Sequence, residues 1–442
     1  MKTGSFENVE IESLAYGGEG IGHVQKKVIF VPTTAPGDRV RVKISEDKRN
    51  YLRGVVEEFE TRSSNRAVPL CDYFGECGGC HWQHLHYPYQ LEAKERTLRD
   101  SLARMGAAGT AVCEWLPPVA SASPYGYRCR VQLHCQVRKR TVVGFHRARC
   151  REVLPIERCE LLPAFLNEIV RKLRQLLNSL DYFLPFTEVE VLADPLEEEA
   201  VLSFQSPTGL GEFVTDFLKA LKAHIPKMYG VSLETRGGEQ EKVEDFGNCS
   251  LRLRFAPVVP GSAQIEAKAR LATFSQVNLE QNRNLQRIVG EWIEPTRDKI
   301  VLDLYCGMGN LSLPLAPGVK RVIGLESHPV AAEDAACNAA KNGLDNCDYR
   351  LSDIEMGLER VQSELSRVDV VIVEPPRKGA KDIAGRIVSL APGKIIYLSS
   401  NPATLARDIE LFSYSSYRLR RIQLIDMFPQ TYHISCVAEF AP

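Results

Sequence analysis

Apolar and polar positions change their period several times along the chain. Residues 1–60 carry short apolar runs: Val9 and Ile11, Val28 to Val31, Val40, Val42 and Ile44, then Val55 and Val56. Tyr16-Gly17-Gly18-Glu19-Gly20, Pro36-Gly37-Asp38 and Glu46-Asp47-Lys48-Arg49-Asn50 separate them as turns. Short strands at that spacing predict a small closed β-barrel. Residues 61–106 are rich in cysteine and aromatic residues and end in a predicted helix. Its apolar positions are Leu91, Leu98, Leu102 and Met105, with Gly106 as the stop. Residues 107–262 mix both periods, so residues 61–262 read as a central α+β domain, with the polar stretch Arg236–Glu241 as a hairpin loop. Residues 263–442 alternate strand and helix, the pattern of an open α/β sheet covered on both faces. Predicted strands are Lys299–Asp303, Arg321–Glu326, Cys347–Leu351, Asp369–Val373 and Lys394–Ser399, then two late ones near Arg418–Leu424 and His433–Phe440. Two late strands after a doubly wound set give a Rossmann-like, seven-stranded sheet that ends in a hairpin.

A chain of 442 residues fits two or three such domains. Hydrophobic residues at 44% and charged residues at 25% suit a globular enzyme. The net charge of −1 excludes a uniformly basic coat but not a local patch. One patch stands out between Arg128 and Arg151, where Arg128, Arg130, Arg138, Lys139, Arg140, Arg147, Arg149 and Arg151 occur without an acid. Tyr125, Tyr127, Phe145 and His146 are interleaved or adjacent. Guanidinium groups for phosphates and rings for unpaired bases are what RNA loops require. Met1–Ser13 holds no apolar core, and no run of 18 apolar residues occurs, so neither a signal peptide nor a membrane span is expected. The expected location is the cytoplasm and the default state a monomer. The 13 cysteines are then reduced thiols, ligands or reactive groups rather than a disulfide frame.

Two motifs carry chemistry. The apolar run Ile300-Val301-Leu302-Asp303 ends in an acid, and Leu304-Tyr305-Cys306-Gly307-Met308-Gly309-Asn310 follows before a helix. Gly307 and Gly309 allow a ligand close to the backbone, Glu326 at the end of the next strand can bind ribose hydroxyls, and Asp353 falls where an adenine would sit. Ser312 replaces the third glycine of a dinucleotide turn, and an acid at Asp303 suits S-adenosylmethionine, with its amino group and no phosphate. Separately, Cys71, Cys77 and Cys80 have C-x5-C-x2-C spacing, and Cys159 is the choice for a fourth ligand over His81 and His84. Four thiolates suit either an iron–sulfur cluster or structural zinc.

Together these features resemble the RNA 5-methyluridine methyltransferases, over nearly the whole chain. Ala15-Tyr16-Gly17-Gly18-Glu19-Gly20-Ile21-Gly22 looks like part of a TRAM domain, an OB-like RNA-binding barrel. Phe274-Ser275-Gln276-Val277-Asn278 matches the family's F-x-Q-V-N, and the turn from Asp303 to Ala316 is close to the family's cofactor turn. Cys71, Cys77, Cys80 and Cys159 match the ligands of the iron–sulfur branch, which implies a 4Fe-4S cluster. The resemblance implies a class I methyltransferase domain acting on rRNA or tRNA. It also implies that Gln276, Tyr305, Glu326 and Glu374 contact S-adenosylmethionine or line its site.

Three departures fall on the chemistry. Ser400, in Ser399-Ser400-Asn401-Pro402, stands at the family's nucleophilic cysteine; Glu374 stands at its Asp or Asn before Pro-Pro-Arg; Ser435 stands at its general-base Glu. A serine hydroxyl is not measurably ionised without a strong base. One reading keeps 5-methyluridine as product through another thiol, Cys436 before Cys306. A second methylates an RNA nitrogen or oxygen, with Glu374 or His433 taking the proton. A third is an RNA-binding protein without catalysis, and a fourth is electron transfer by the cluster. The intact cofactor positions favour a working S-adenosylmethionine-dependent RNA methyltransferase.

Overall fold

The computed structural model describes residues 3–104, 113–137, 141–180, 184–236 and 242–442. The N-terminal segment forms six strands, Phe6–Glu10, Ser13–Leu14, Gly20–Val24, Lys27–Val31, Arg39–Asp47 and Tyr51–Thr61. Alternation shapes them: Val40, Val42 and Ile44 are buried while Arg39, Arg41 and Lys43 face outward. In space the strands run first, fifth, sixth, fourth, third, second. Among the described residues no ladder joins the first strand to the second, so the expected closed barrel is here a six-stranded sheet.

The central region is a seven-stranded sheet in the spatial order Val153–Pro155, Thr141–His146, Arg130–Val137, Glu188–Asp194, Glu199–Ser206, Met228–Thr235, Lys242–Gly247. Helix Ala164–Ser179 buries the stripe Leu166, Ile169, Val170, Leu173, Leu176 and Leu177. It shares a core with Phe217 and Leu221 of helix Val214–His224. The expected hairpin loop follows an antiparallel ladder that pairs Thr235 with Lys242; residues 237–241 lie outside the described residues.

The C-terminal sheet carries the site. Its order is Cys347–Leu351, Arg321–Glu326, Ile300–Leu304, Val370–Val373, Lys394–Ser399, Ser435–Ala441, Arg418–Ile425, Glu114–Val119. The first five strands are parallel. The central ones, Ile300–Leu304, Val370–Val373 and Lys394–Ser399, are almost wholly buried and read as apolar runs, while the edge strand Cys347–Leu351 is half-buried. Arg418–Ile425 and Ser435–Ala441 form the expected antiparallel hairpin. The sheet has eight strands rather than the expected seven. Glu114–Val119, from far upstream, adds to the edge parallel to Arg418–Ile425. Pro117 and Pro118 lack donors, and an edge is the place a sheet tolerates them. Helix Tyr87–Arg104 also belongs here, sinking Leu98 and Leu102 into the core of this sheet. Its predicted end, Met105 and Gly106, lies outside the described residues.

Candidate active site

Parallel strands put their C-terminal ends along one edge, and loops leaving that edge build the site. Register aligns Leu304 with Val373 and Val373 with Tyr397, while Ser399 lies opposite Cys436. The residues that follow these strand ends therefore share one rim. A cleft of about 1230 Å³ opens there, lined by Gln276, Tyr305, Gly307, Glu326, Asp353, Glu374, Ser400, His433, Ser435 and Cys436 among others.

The turn after Ile300–Leu304 is held open for a ligand. Tyr305 takes a left-handed conformation (φ 60°) and Gly307 another (φ 55°). A non-glycine residue held there costs about 1–3 kcal/mol and is found mostly at functional sites. A Cβ at Gly307 would meet nothing within 4 Å, so its backbone faces open space. The Gly307 N–H donates to Glu326 Oε2 (2.9 Å) and the His328 N–H to Oε1 (2.8 Å). Each carboxylate oxygen keeps a further lone pair for a ribose hydroxyl. Asp353 caps helix Ile354–Glu364 by accepting from the Glu355 and Met356 N–H groups. These features fit a nucleoside cofactor. Gly309 does not face the cleft as expected: a Cβ there would press on Leu313 and the Tyr349 hydroxyl, so it serves helix packing. Ser312 donates to Asp303 Oδ2 (2.6 Å), and burial pushes the Asp303 carboxyl up to about 7, with Glu374 and Glu326 adding repulsion.

Gln276 Nε2 donates to Glu374 Oε1 (2.9 Å), joining the F-x-Q-V-N segment to the Pro-Pro-Arg loop. Burial pushes Glu374 up to about 7, against that hydrogen bond. Ser400 is exposed and Ser435 half-buried, and among the described residues no side chain hydrogen-bonds either hydroxyl. His433 is held down to about 4 by burial, with His81, Arg377, Lys94 and Arg128 adding to the effect. It is neutral at physiological pH and a weak proton acceptor. Cys436 is 4% exposed in the apolar core, and burial pushes its thiol up to about 12. Cys306 is likewise buried and raised well above its ordinary value. Burial moves both thiols in the direction opposite to the lowered pKa that activates a nucleophile, which counts against either as a substitute for Ser400.

All four predicted ligands, Cys71, Cys77, Cys80 and Cys159, line one cavity of about 410 Å³. Burial raises each thiol, Cys80 to about 12, so these sulfurs stay protonated unless positive charge is placed among them. Among the described residues no three His, Cys, Asp or Glu side chains converge on a single-ion site. Four cysteines around one cavity are, by the chemistry of their sulfurs, a donor set that suits an iron–sulfur cluster or a structural zinc. The rival ligands face elsewhere: His84 Nε2 meets the Thr34 carbonyl oxygen (3.0 Å), and His81 lines the main cleft. Gly78, Gly79 and Arg128 border both cavities. The His81 and Trp82 N–H groups both donate to the Gln430 carbonyl (2.9 and 3.0 Å), tying the cysteine loop to the loop that carries His433.

The basic stretch divides. Arg128 Nε is buried without a partner beside both cavities. Arg130 does not offer the free guanidinium expected for RNA: it pairs with Glu190 (2.6 Å) and donates to the Thr273 and Leu271 carbonyls (2.6 Å each). Arg147 pairs with Glu76 and Glu152, and Arg149 with Glu19. Arg151 is exposed; Arg138, Lys139 and Arg140 lie outside the described residues. Sequence reasoning missed Arg377 and Lys378, exposed cations on the cleft wall next to Glu374. Their place after Pro375-Pro376 was the available signal. It also missed Tyr16, whose ring lies edge-on to Tyr432 (5.5 Å) and brings the N-terminal domain to the cleft. Phe274, in the recognised motif, is 65% exposed on the same wall.

Comparison with known proteins places this arrangement. Residues 86–439 match the model of the tRNA (Uracil-5-)-methyltransferase family, and residues 2–56 match that of the TRAM domain. A 23S rRNA (uracil(1939)-C(5))-methyltransferase of Yersinia enterocolitica is 33% identical over 98% of this chain and 94% of its own. An uncharacterized RNA methyltransferase of Thermosynechococcus vestitus is 34% identical over 98% of both chains. The solved tRNA (uracil-54, C5)-methyltransferase of Pyrococcus abyssi, in complex with S-adenosyl-L-homocysteine, shares the fold with a TM-score of 0.74 at 24% identity, covering 98% of this chain and 99% of that one. The chain therefore belongs to the tRNA (uracil-5-)-methyltransferase family, with a TRAM domain at its N-terminus.

Proposed function

We propose that this protein transfers a methyl group from S-adenosylmethionine to a uracil base of structured RNA, rRNA or tRNA. One observation carries the reading: the open turn at Tyr305–Gly307, the Glu326 carboxylate and the Gln276–Glu374 pair converge in a single cleft. Glu326 holds the ribose of the methyl donor, which supplies an electrophilic methyl group when bound. Tyr305 and Asp353 border the adenosine, and Glu374 stands at the reacting end. Phe274 and Tyr16 give exposed rings at the mouth for unstacked bases. Arg128, Arg151 and the segment Arg138–Arg140 supply cations for phosphates, and Arg377 and Lys378 extend them to the cleft.

The four-cysteine cavity is read as the seat of a 4Fe-4S cluster with a structural role. It holds the loop at residue 80 against the segment at Cys159, and through Gln430 it steadies the loop that bears His433. The protein is read as a cytoplasmic monomer whose TRAM segment, residues 1–60, engages RNA beside the site. The test is methyl transfer from labelled S-adenosylmethionine to RNA by the wild type and by Glu326→Ala. Label in RNA that vanishes in the variant together with cofactor binding supports the reading; unchanged transfer by the variant contradicts it.

A further inference from the structure

The cleft holds what a methyl transfer needs, but not what a transfer to carbon needs. Carbon-5 of uracil is a poor nucleophile until another group adds to carbon-6, and that addition calls for a thiolate or an activated hydroxyl. Neither is set up among the described residues at the cleft. Cys436 and Cys306 are 4% and 5% exposed and buried as protonated thiols. The Ser400 and Ser435 hydroxyls line the cleft with no base hydrogen-bonded to them. The group set for proton transfer is the Glu374 carboxylate. It follows strand Val370–Val373, which pairs on one side with Ile300–Leu304 and on the other with Lys394–Ser399, so its origin is fixed from both sides. Gln276 occupies Oε1 and leaves Oε2 for a substrate.

From this juxtaposition we infer that the methyl acceptor is the imide nitrogen, N3, of uracil, with Glu374 as the base that takes its proton. The inference rests on the uracil-directed transfer proposed above. The N3–H bond breaks and its proton passes to Glu374 Oε2. The freed N3 electron pair forms the new N3–CH3 bond. The methyl–sulfur bond of the donor breaks with its electrons left on sulfur, giving the neutral thioether S-adenosylhomocysteine. No covalent adduct with the protein forms and no second base is required, so serine at positions 400 and 435 is sufficient. An N–H between two carbonyls is an acid closer in strength to a phenol than to an alcohol. A carboxylate raised towards neutrality can therefore assist its loss, whereas a ribose hydroxyl demands a stronger base. The exposed Arg377 and Lys378 supply positive charge for the carbonyl oxygens over which the N3 anion spreads.

Groups facing Glu374 are Asp303 and Glu326 at the neighbouring strand ends, Arg377 and Lys378 downstream, and His433, neutral, across the cleft. Glu374 is pushed up to about 7, so it accepts a proton only when ionised, and activity rises with pH through that value.

The experiment uses the full chain, methyl-14C S-adenosylmethionine and transcribed 23S rRNA and tRNA carrying tritium at uracil carbon-5. The expected result is 14C in a nucleoside that co-elutes with 3-methyluridine, with tritium kept in the RNA. Glu374→Gln lowers the rate by about 100-fold or more. A melting temperature of that variant close to the wild type's shows that it folds. Tritium release matching 14C uptake, with 5-methyluridine as product, overturns the inference and leaves the uracil reading standing. Label on another base or on ribose overturns both. No label at all, with S-adenosylhomocysteine still bound, also overturns both.

Discussion

Replacing Lys94 tests how the site loop is anchored. Lys94 is wholly buried in helix Tyr87–Arg104, and its Nζ lies 2.6 Å from Asp426 Oδ1, also wholly buried. It donates in addition to the Phe428 carbonyl (2.9 Å), and the Tyr87 hydroxyl donates to Asp426 Oδ2 (2.9 Å). These contacts hold the start of the loop that carries Thr431 and His433 into the cleft. Lys94→Ala leaves Asp426 charged and buried without its counter-ion, a change that costs about 3–5 kcal/mol. For a domain of this size each kcal/mol lowers the melting temperature by about 2–4 °C, so a fall of about 6–20 °C is expected in a thermal melt followed by circular dichroism. The double variant Lys94→Met, Asp426→Leu regains part of the loss, because no charge is left stranded. Recovery is incomplete, since the Tyr87 hydroxyl loses its acceptor. A fall of less than about 2 °C in Lys94→Ala would show that the pair is not desolvated as the structure has it.

Other outcomes follow from single contacts. Cys77→Ser should lose iron, by metal analysis, and expose the 71–80 loop to limited proteolysis; a protein without iron but of full protease resistance rejects the clamp. Arg130→Ala should destabilise by roughly 1.5–3 kcal/mol in urea titration while RNA affinity in a filter-binding assay is kept, because its guanidinium is spent on Glu190 and two carbonyls. A loss of affinity at unchanged stability would restore it as an RNA contact. Cys436→Ala should cost roughly 1 kcal/mol through the small cavity it leaves, without removing methyl transfer; complete loss of transfer in a folded variant would return it to the chemistry. Asp303 is raised to about 7 and so keeps a proton that the unfolded chain releases near its ordinary value. Between about pH 4 and 7 the folded state binds more protons, so this group's contribution to stability falls as pH rises through that window. The melting temperature of the wild type relative to Asp303→Asn should therefore decline across it; a flat difference would contradict the burial of that carboxyl.

The parallel strands of the C-terminal sheet are legible because burial on both faces leaves apolar runs such as Ile300–Leu304 and Val370–Val373. Glu114–Val119 is hidden by its two prolines, which argue against a strand until an edge is available. The cofactor turn shows itself through glycine spacing, yet the inward use of Gly309 depends on Leu313 and Tyr349, and Tyr349 arrives from two strands away. Cysteine spacing points to a shared cavity. Its coupling to the loop that carries His433 runs through the backbone of Gln430, a residue with no side-chain signature for that role. The basic stretch misleads for Arg130 because its partners lie 60 to 143 residues away. Tyr16 meets Tyr432 across almost the whole chain, a contact that only the packed domains create.

Methyl transfer from S-adenosylmethionine to uracil in RNA is the reaction this cleft is built to perform. Mass spectrometry of nucleosides from RNA incubated with the purified protein and deuterated-methyl S-adenosylmethionine tests it most directly. A labelled methyluridine is expected, absent when Glu326→Ala replaces the wild type. RNA without any labelled nucleoside, from protein that binds both S-adenosylhomocysteine and that RNA, would contradict it.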